Sequence, residues 1–319
     1  MWMLPVQNQS WVSEFILLGF SNDPTSNRIL FIAFLLLYLS SVLGNGLIIT
    51  LISLDSHLHT PMYFFLSILS LLDMGYVTTT IPQMLVHLIS SSKTISFAGC
   101  WLQMYVFGAL GLTESILFVI MAYDRYVAIC HPLRYTVILT WELCMWLATL
   151  AWTCGFFLSL IHTFSTMGLP YCGPNIINHY FCEGPSVWSL ACMDTHIIEM
   201  VDLVISVFVV VAPLSLILAS YIHIALAISK IKSTQGRCKT LSTCASHLTV
   251  VTFFYVPAIY IYMRPNSSYS PDHDKQISFV YNILTALLNP MAYSLRNKDF
   301  KVAILKVMGS GRMAWTMGC

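Results

Sequence analysis

The stretch "ILFIAFLLLYLSSVLGNGLIITLISL", Ile29 to Leu54, carries no charged side chain and stops at Asp55. A hydrocarbon layer ~30 Å thick is crossed by roughly 20 residues of helix. Inside it the backbone has no water to bond, so such a run must be helical. Six more apolar runs follow at 61–88, 97–129, 143–164, 197–228, 241–263 and 277–295. The expected fold is an all-α membrane protein, a seven-transmembrane helix bundle.

Composition agrees. The 319 residues are 57% hydrophobic and only 9% charged, against about 25% charged in soluble domains, and the mean hydropathy is +0.74. A net charge of +1 gives no sign of a nucleic-acid partner. No linker or short repeat divides the chain. Pro257 and Pro290 fall inside apolar runs and Pro213 interrupts the fifth. Inside a bundle they are expected to kink the helices while neighbours satisfy the freed carbonyls.

With seven spans, Arg125, Arg134, Lys230, Lys232, Arg237, Lys239, Arg296, Lys298, Lys301, Lys306 and Arg312 fall on one side of the membrane. Only Arg28, Lys93, Arg264 and Lys275 fall on the other. The positive-inside rule puts the C-terminus in the cytoplasm. The expected layout is an extracellular N-terminus (1–28), a seven-span bundle (29–295) and a cytoplasmic tail (296–319) at the plasma membrane. The N-terminus lacks a basic start followed by an apolar core, so the first span is expected to act as an uncleaved anchor. The sequons at Asn8 and Asn266 fall outside, Asn8 being the better acceptor. In the tail, Phe300, Ile304 and Val307 recur at helical spacing among lysines, the pattern of an amphipathic helix on the inner leaflet.

Of ten cysteines, Cys100, Cys172, Cys182 and Cys192 fall outside. An oxidising compartment favours two bridges, and three pairings are open. Cys130, Cys144, Cys154, Cys238, Cys244 and Cys319 are expected as free thiols. "HYFCE" also suggests a metal through His179 and Cys182, but a bridged Cys182 has no thiolate to give. No metal is expected at that loop.

The third run ends in "MAYDRYVAIC", Met121 to Cys130. From Cys100 to Arg125 is about 38 Å of helix, so one helix joins an outer anchor to an inner charged pair. Taken with "GN" (Gly44-Asn45), "LHTPMYFFLSILSLLD" (Leu58 to Asp73), "MAYDRYVAICHPLRY" (Met121 to Tyr135), "SY" (Ser220-Tyr221), "KTLSTCASH" (Lys239 to His247) and "LNPMAYSLRNKDFK" (Leu288 to Lys301), the chain resembles the odorant receptors among rhodopsin-like G-protein-coupled receptors. The motifs stand in the family's order from about Phe15 to Lys306. The chain reads "FYVP" at Phe254 to Pro257 and "ALLNP" at Ala286 to Pro290, where the family commonly has "FYG" and "PMLNP".

The resemblance implies disulfides Cys100–Cys182 and Cys172–Cys192. It implies a switch of Asp124, Arg125 and Tyr126, with Tyr221 and Tyr293 supporting the open form. In it Asp124 holds Arg125 at rest, and activation releases Arg125 to a stimulatory heterotrimeric G protein that raises cAMP. It implies a polar network of Asn45, Asp73, Glu114 and Asn289, either linked by an allosteric sodium ion or water-filled and protonated, and no cofactor is expected apart from that ion. It implies a ligand site formed by Phe107, Gly108, Gly111, Leu112, Ile205, Ser206, Val209, Tyr255, Ile259, Tyr262, Phe279 and Asn282. That lining suits a small, mostly apolar volatile; Gly108 and Gly111 could equally serve close helix packing. No acid stands on the outer half of the third span to anchor an amine, though Asp202 could serve one.

Other classes fit less well. A transporter would show polar residues along several helices or broken-helix repeats, and a membrane enzyme a nucleophile–base or metal constellation. Neither pattern is present. A non-olfactory sensor of small metabolites is the alternative within the receptor class.

Overall fold

The computed structural model describes residues 12–171, 174–193, 195–230, 233–263, 270–294, 300 and 302. Asn8, Cys172, Asn266, the tail helix and the side chain of Tyr293 lie outside the described residues. Seven long helices follow in order: α1 (Pro24–Leu54), α2 (Pro61–Ile89), α3 (Phe97–Cys130), α4 (Trp141–Met167), α5 (His196–Ser229), α6 (Thr234–Tyr262) and α7 (271–294). The first six are each long and apolar enough to cross a membrane. The seventh joins Pro271–Phe279 to Thr285–Ser294 through a π turn, Val280–Leu284.

Local chemistry sets the helix starts. Asp23, Ser96, Thr140 and Ser233 accept backbone N–H bonds three residues on, capping α1, α3, α4 and α6. Pro24, Pro61 and Pro271 occupy first-turn positions, where a missing N–H costs nothing. The Ser26 N–H bond at 2.8 Å also holds the exposed Asp23 carboxyl below its ordinary range.

The bundle is apolar on its outside. Along α1, Ile29, Ile32, Leu36, Leu39, Leu43 and Leu47 form an exposed stripe at three- and four-residue steps. Asn45, Ile48 and Leu51 face the core. Such a stripe is unfavourable in water and suits lipid. By contrast 67% of the most apolar window of α3 is buried, against 22% for α1, so α3 is the central post.

At two prolines a neighbouring helix satisfies the freed carbonyl. Pro213 has no N–H for the Val209 carbonyl four residues back; Ser115 Oγ on α3 donates to it at 2.8 Å. Pro290 likewise frees the Ala286 carbonyl, which accepts from Asn45 Nδ2 at 2.9 Å and Ser41 Oγ at 3.4 Å on α1. Pro257 sits within a continuous α6.

A three-stranded sheet, not expected from the sequence, covers the end of the bundle that carries Cys100, here the upper end. Strand β1 (Glu14–Leu17) pairs antiparallel with β2 (Thr94–Ser96) and parallel with β3 (Ile176–Ile177). Phe15 and Leu17 bury beneath it against Trp101, Met104 and Val187. The Cys100–Cys182 disulfide, Cα–Cα 5.5 Å, ties this layer to α3. Gln103 then braces the bond: its Oε1 accepts the Cys182 N–H at 2.9 Å and its Nε2 donates to Thr79 O and Gln83 Oε1. Cys192 is also disulfide-bonded, to a partner outside the described residues. Cys130, Cys144, Cys154 and Cys244 are free. Cys238 is bonded instead, again to a partner outside the described residues, and nothing in its described surroundings explains why.

Candidate functional site: an upper cavity, a polar layer and a lower charged pair

A cavity opens under the upper cap. On α3, Met104, Phe107, Gly108, Gly111, Leu112 and Ser115 line it at helical spacing. On α5, Asp202, Ile205, Ser206, Val209 and Val210 face them; α6 contributes Phe254, Ala258 and Tyr262. Tyr76 of α2 and Tyr281 of α7 close the far side, their hydroxyls hydrogen-bonded to each other. Leu158, Ser159 and His162 of α4, with Glu183 and Gly184 of the capping loop, complete the wall. His162 Nδ1 meets Asp202 Oδ1 at 2.9 Å.

The glycines serve packing and volume together. A Cβ on Gly108 would lie 2.7 Å from Ser159 Oγ, and one on Gly111 3.0 Å from the Tyr76 hydroxyl. Gly155 on α4 is tighter still, its missing Cβ falling against Thr113 Oγ1, with Thr113 N at 2.8 Å and Ala109 O at 2.9 Å.

The capping loop is itself rigid. His179 is fully buried, stacks on Tyr180 with ring centroids 4.8 Å apart, and lies 3.4 Å from Glu183 Oε1. Burial, reinforced by the Lys275 charge, pushes its imidazole down to about 3, so it is neutral at physiological pH. Lys275 Nζ donates to Asp272 Oδ1, Asn178 Oδ1 and Gly19 O, stitching α7 to the N-terminal segment and the loop. Cys182 is bonded through sulfur to Cys100 and has no thiolate for a metal.

Below the cavity lies a polar layer. Asn289 Nδ2 donates to both carboxylate oxygens of Asp73, at 2.7 and 2.9 Å. Glu114 is 2% exposed and interacts electrostatically with Asp73. Among the described residues, Asn45 Oδ1, Ser70 Oγ, Glu114 Oε1 and Asn289 Oδ1 are buried and unpartnered. These are oxygen donors of the hard kind that suit an alkali or alkaline-earth cation.

At the lower end of α3, Asp124 is buried and its Oδ1 accepts the Tyr135 hydroxyl at 2.7 Å. Burial and the Asp124 charge push the Tyr135 phenol up. Among the described residues no ion pair joins Asp124 to Arg125. The Arg125 charge acts on Asp124 and also on Tyr221 of α5 and on Cys244 and His247 of α6. Tyr221 OH and His247 Nδ1 are 2.9 Å apart, with the rings stacked. Tyr126 turns to His131, 3.2 Å away.

A family profile described as "Olfactory receptor" matches residues 34–310. The human olfactory receptor 2A12 is 48% identical over 305 residues, covering 96% of this chain and 98% of the relative. Human olfactory receptor 2A1/2A42 is 49% identical, covering 95% and 98%. The dog olfactory receptor-like protein OLF3 is 50% identical, covering 95% of each. The chain belongs to the olfactory receptor family. It is therefore a multi-pass G-protein-coupled receptor of the plasma membrane with a seven-span bundle, and not an enzyme.

Eight of the twelve ligand-site residues expected for the receptor line the upper cavity: Phe107, Gly108, Gly111, Leu112, Ile205, Ser206, Val209 and Tyr262. The other four sit elsewhere. Tyr255 turns to α3, its hydroxyl 2.8 Å from Ser115 Oγ, while its neighbour Phe254 takes the cavity face. Ile259 is 37% exposed on the lipid side. Phe279 packs on Phe34 of α1 at 5.1 Å between centroids. Asn282 donates to Thr80 Oγ1 at 2.6 Å, behind the Tyr76–Tyr281 layer. Sequence reasoning missed Tyr76, Ser159, His162, Glu183 and Tyr281. Tyr76 on α2, Ser159 and His162 on α4, Glu183 in the loop and Tyr281 on α7 belong to no motif that would flag them.

Proposed function

We propose that the receptor binds a small, mostly apolar volatile in the upper cavity and activates a stimulatory, olfactory-type G protein through its lower end, raising cAMP. One observation carries this reading. The helix that lines the cavity with Phe107 to Ser115 also carries Asp124 and Arg125 at its other end. The cavity is lined mainly by apolar and aromatic side chains with a few polar groups, the make-up of small-molecule pockets.

In this reading the upper end faces outside, as the lysine and arginine asymmetry requires. Cys172 pairs with Cys192, and Asn8 carries glycan. Tyr135 holds Asp124 while Arg125, backed by Tyr221, Tyr293 and His247, is left to meet the G protein. A bistable charged element of this kind is biased by whichever partner binds it better. Asn45, Asp73, Glu114 and Asn289 fit a sodium ion, since several of their oxygens have no partner in the described structure. When bound, sodium would supply positive charge to two acids whose ionised forms are costly at that depth.

The test is a panel of volatiles applied to cells with and without a stimulatory G protein, read as cAMP. The reading expects responses that need the G protein and vanish in Arg125→Ala. Responses that survive either removal would contradict it. Sodium dependence of basal signalling should differ between the natural receptor and Asp73→Asn; identical salt responses would exclude the ion.

A further inference from the structure

A second cavity lies outside the first, at the upper end of the bundle between α5, α6 and the capping loop. Trp188 of the loop, Met200 and Leu203 of α5, and Ile261 and Met263 of α6 line it. Met200 and Leu203 are 50% and 37% exposed, so its mouth is apolar and opens sideways, on the surface that suits lipid. Among the described residues, Asp202 and Tyr262 line both cavities. Two side chains thus form the partition. Asp202 is held by His162 at 2.9 Å, and the His162 ring packs edge-on against Trp188.

The upper cap offers a harder way in. The sheet and the Cys100–Cys182 bond tie the capping loop to the N-terminal segment and to α3, and Tyr180, Phe181 and Val187 are at most 1% exposed. Phe181 packs on the cavity-lining Phe107 with ring centroids 4.6 Å apart. A molecule passing from above must unpack this layer, and dense packing of that kind does not yield gradually. From the side it has only to turn Tyr262 and Asp202 away. An apolar molecule is also concentrated at the side, because each methylene favours hydrocarbon over water about fourfold.

We infer that volatiles enter the receptor laterally, from the lipid, through this vestibule between α5 and α6, with Tyr262 and the Asp202–His162 pair as its inner door. The inference rests on the odorant reading and adds selection by partition: volatiles that dissolve in the bilayer reach the cavity fastest. Met200 and Leu203 line the vestibule and not the upper cavity, so they meet the volatile only in transit. A passage is travelled in both directions. Narrowing it slows binding and release alike and leaves affinity, their ratio, unchanged.

The experiment follows G-protein recruitment in real time in cells displaying the full receptor, while the most potent volatile of the panel is applied and washed out. Surface display is measured for every variant. Leu203→Trp and Met200→Trp should each slow onset and washout together by about fivefold or more, with steady-state potency changed by less than about twofold. Leu203→Ala should slow neither. On the natural receptor, onset at equal aqueous concentration should rise about fourfold per methylene along the active homologues of that volatile. Unchanged rates in both tryptophan variants, or onset that stays flat along the homologues, would overturn the inference. So would a loss of potency that matches the slower onset, because Met200 and Leu203 would then belong to the binding site. Each of these results leaves the odorant function standing. Silence of a displayed receptor to every volatile rejects both.

Discussion

The phenol of Tyr135 donates to Oδ1 of Asp124 at 2.7 Å, and this bond, not one to Arg125, holds the buried carboxylate. Asp124 and Arg125 are adjacent in sequence, and the Arg125 charge acts on the acid without an ion pair between them among the described residues. Asp124 turns to the short helix Tyr135–Ile138, and the Arg125 charge reaches the α5–α6 pair Tyr221 and His247. Tyr135 thus competes with Arg125 for the acid.

Tyr135→Phe removes that competitor. A hydrogen bond to a charged group contributes about 1.5–3 kcal/mol, so the acid should turn back to Arg125 and the ligand-evoked cAMP maximum should fall roughly tenfold. Asp124→Asn should instead raise basal cAMP. An unchanged maximum in Tyr135→Phe, at equal surface display, would remove Tyr135 from the switch.

The capping loop predicts a pH dependence. His179 is neutral in the folded cap, its pKa down to about 3 from the ordinary 6.5. Once the cap opens, the imidazole binds a proton below about 6.5, so the open state holds more protons there. Stability therefore rises with pH up to about 6.5 and is lost progressively as pH falls below it, by up to about 1.4 kcal/mol per unit. Melting of the purified receptor between pH 7 and pH 5 should show this slope, and His179→Gln should flatten it. Equal slopes would mean that His179 is not buried in solution.

Helix contact between α3 and α4 predicts a steric effect. Gly155→Ala places a Cβ against the Thr113 and Ala109 backbone of α3, closer than 3.0 Å to both. Backbone cannot yield as a flexible side chain can, so overpacking should cost about 1–3 kcal/mol. A thermal melt of the receptor in nanodiscs reads it. A melting temperature equal to the natural receptor's would show that the helices can separate freely.

The cap predicts a graded pair of defects. Cys100→Ser removes the bond to Cys182, and Gln103→Leu leaves the disulfide but orphans the Cys182 N–H. The disulfide is typically worth about 2–4 kcal/mol and an unsatisfied buried donor about 1–3 kcal/mol. Surface display should fall in both, more in Cys100→Ser. Full display of Gln103→Leu would show that water takes over its bonds.

Much of the fold is legible in the sequence because lipid imposes a simple rule. The apolar runs at 61–88 and 97–129 match α2 and α3 to within a residue. The rule fails where a helix leaves the membrane. α6 begins at Thr234 and α7 at Pro271, a turn or two before their apolar runs, because "TQGRCKT" and "PDHDKQ" are polar helix that hydropathy cannot see. The β1–β2–β3 sheet joins segments far apart in sequence, each only two to four residues long, too short to signal themselves.

The site was legible where one helix face repeats, as on α3, and not where a single rotation decides. Phe254 and Tyr255 are adjacent, so about 100° of helix separates them. Tyr255 turns to Ser115 because its hydroxyl needs a buried partner, and Phe254 takes the cavity. The His162–Asp202 pair was beyond reach for another reason. Asp202 alone was visible as an acid in an apolar run, but its partner is 40 residues earlier on a different helix.

The central claim is that occupancy of the upper cavity frees Arg125 to act on a G protein. Nucleotide exchange on a purified stimulatory heterotrimer, by receptor in nanodiscs with a volatile agonist, tests it most directly. The account predicts that agonist accelerates exchange and that Arg125→Ala abolishes the acceleration while ligand binding persists. Agonist binding with no change in exchange, or acceleration undiminished in Arg125→Ala, would contradict it.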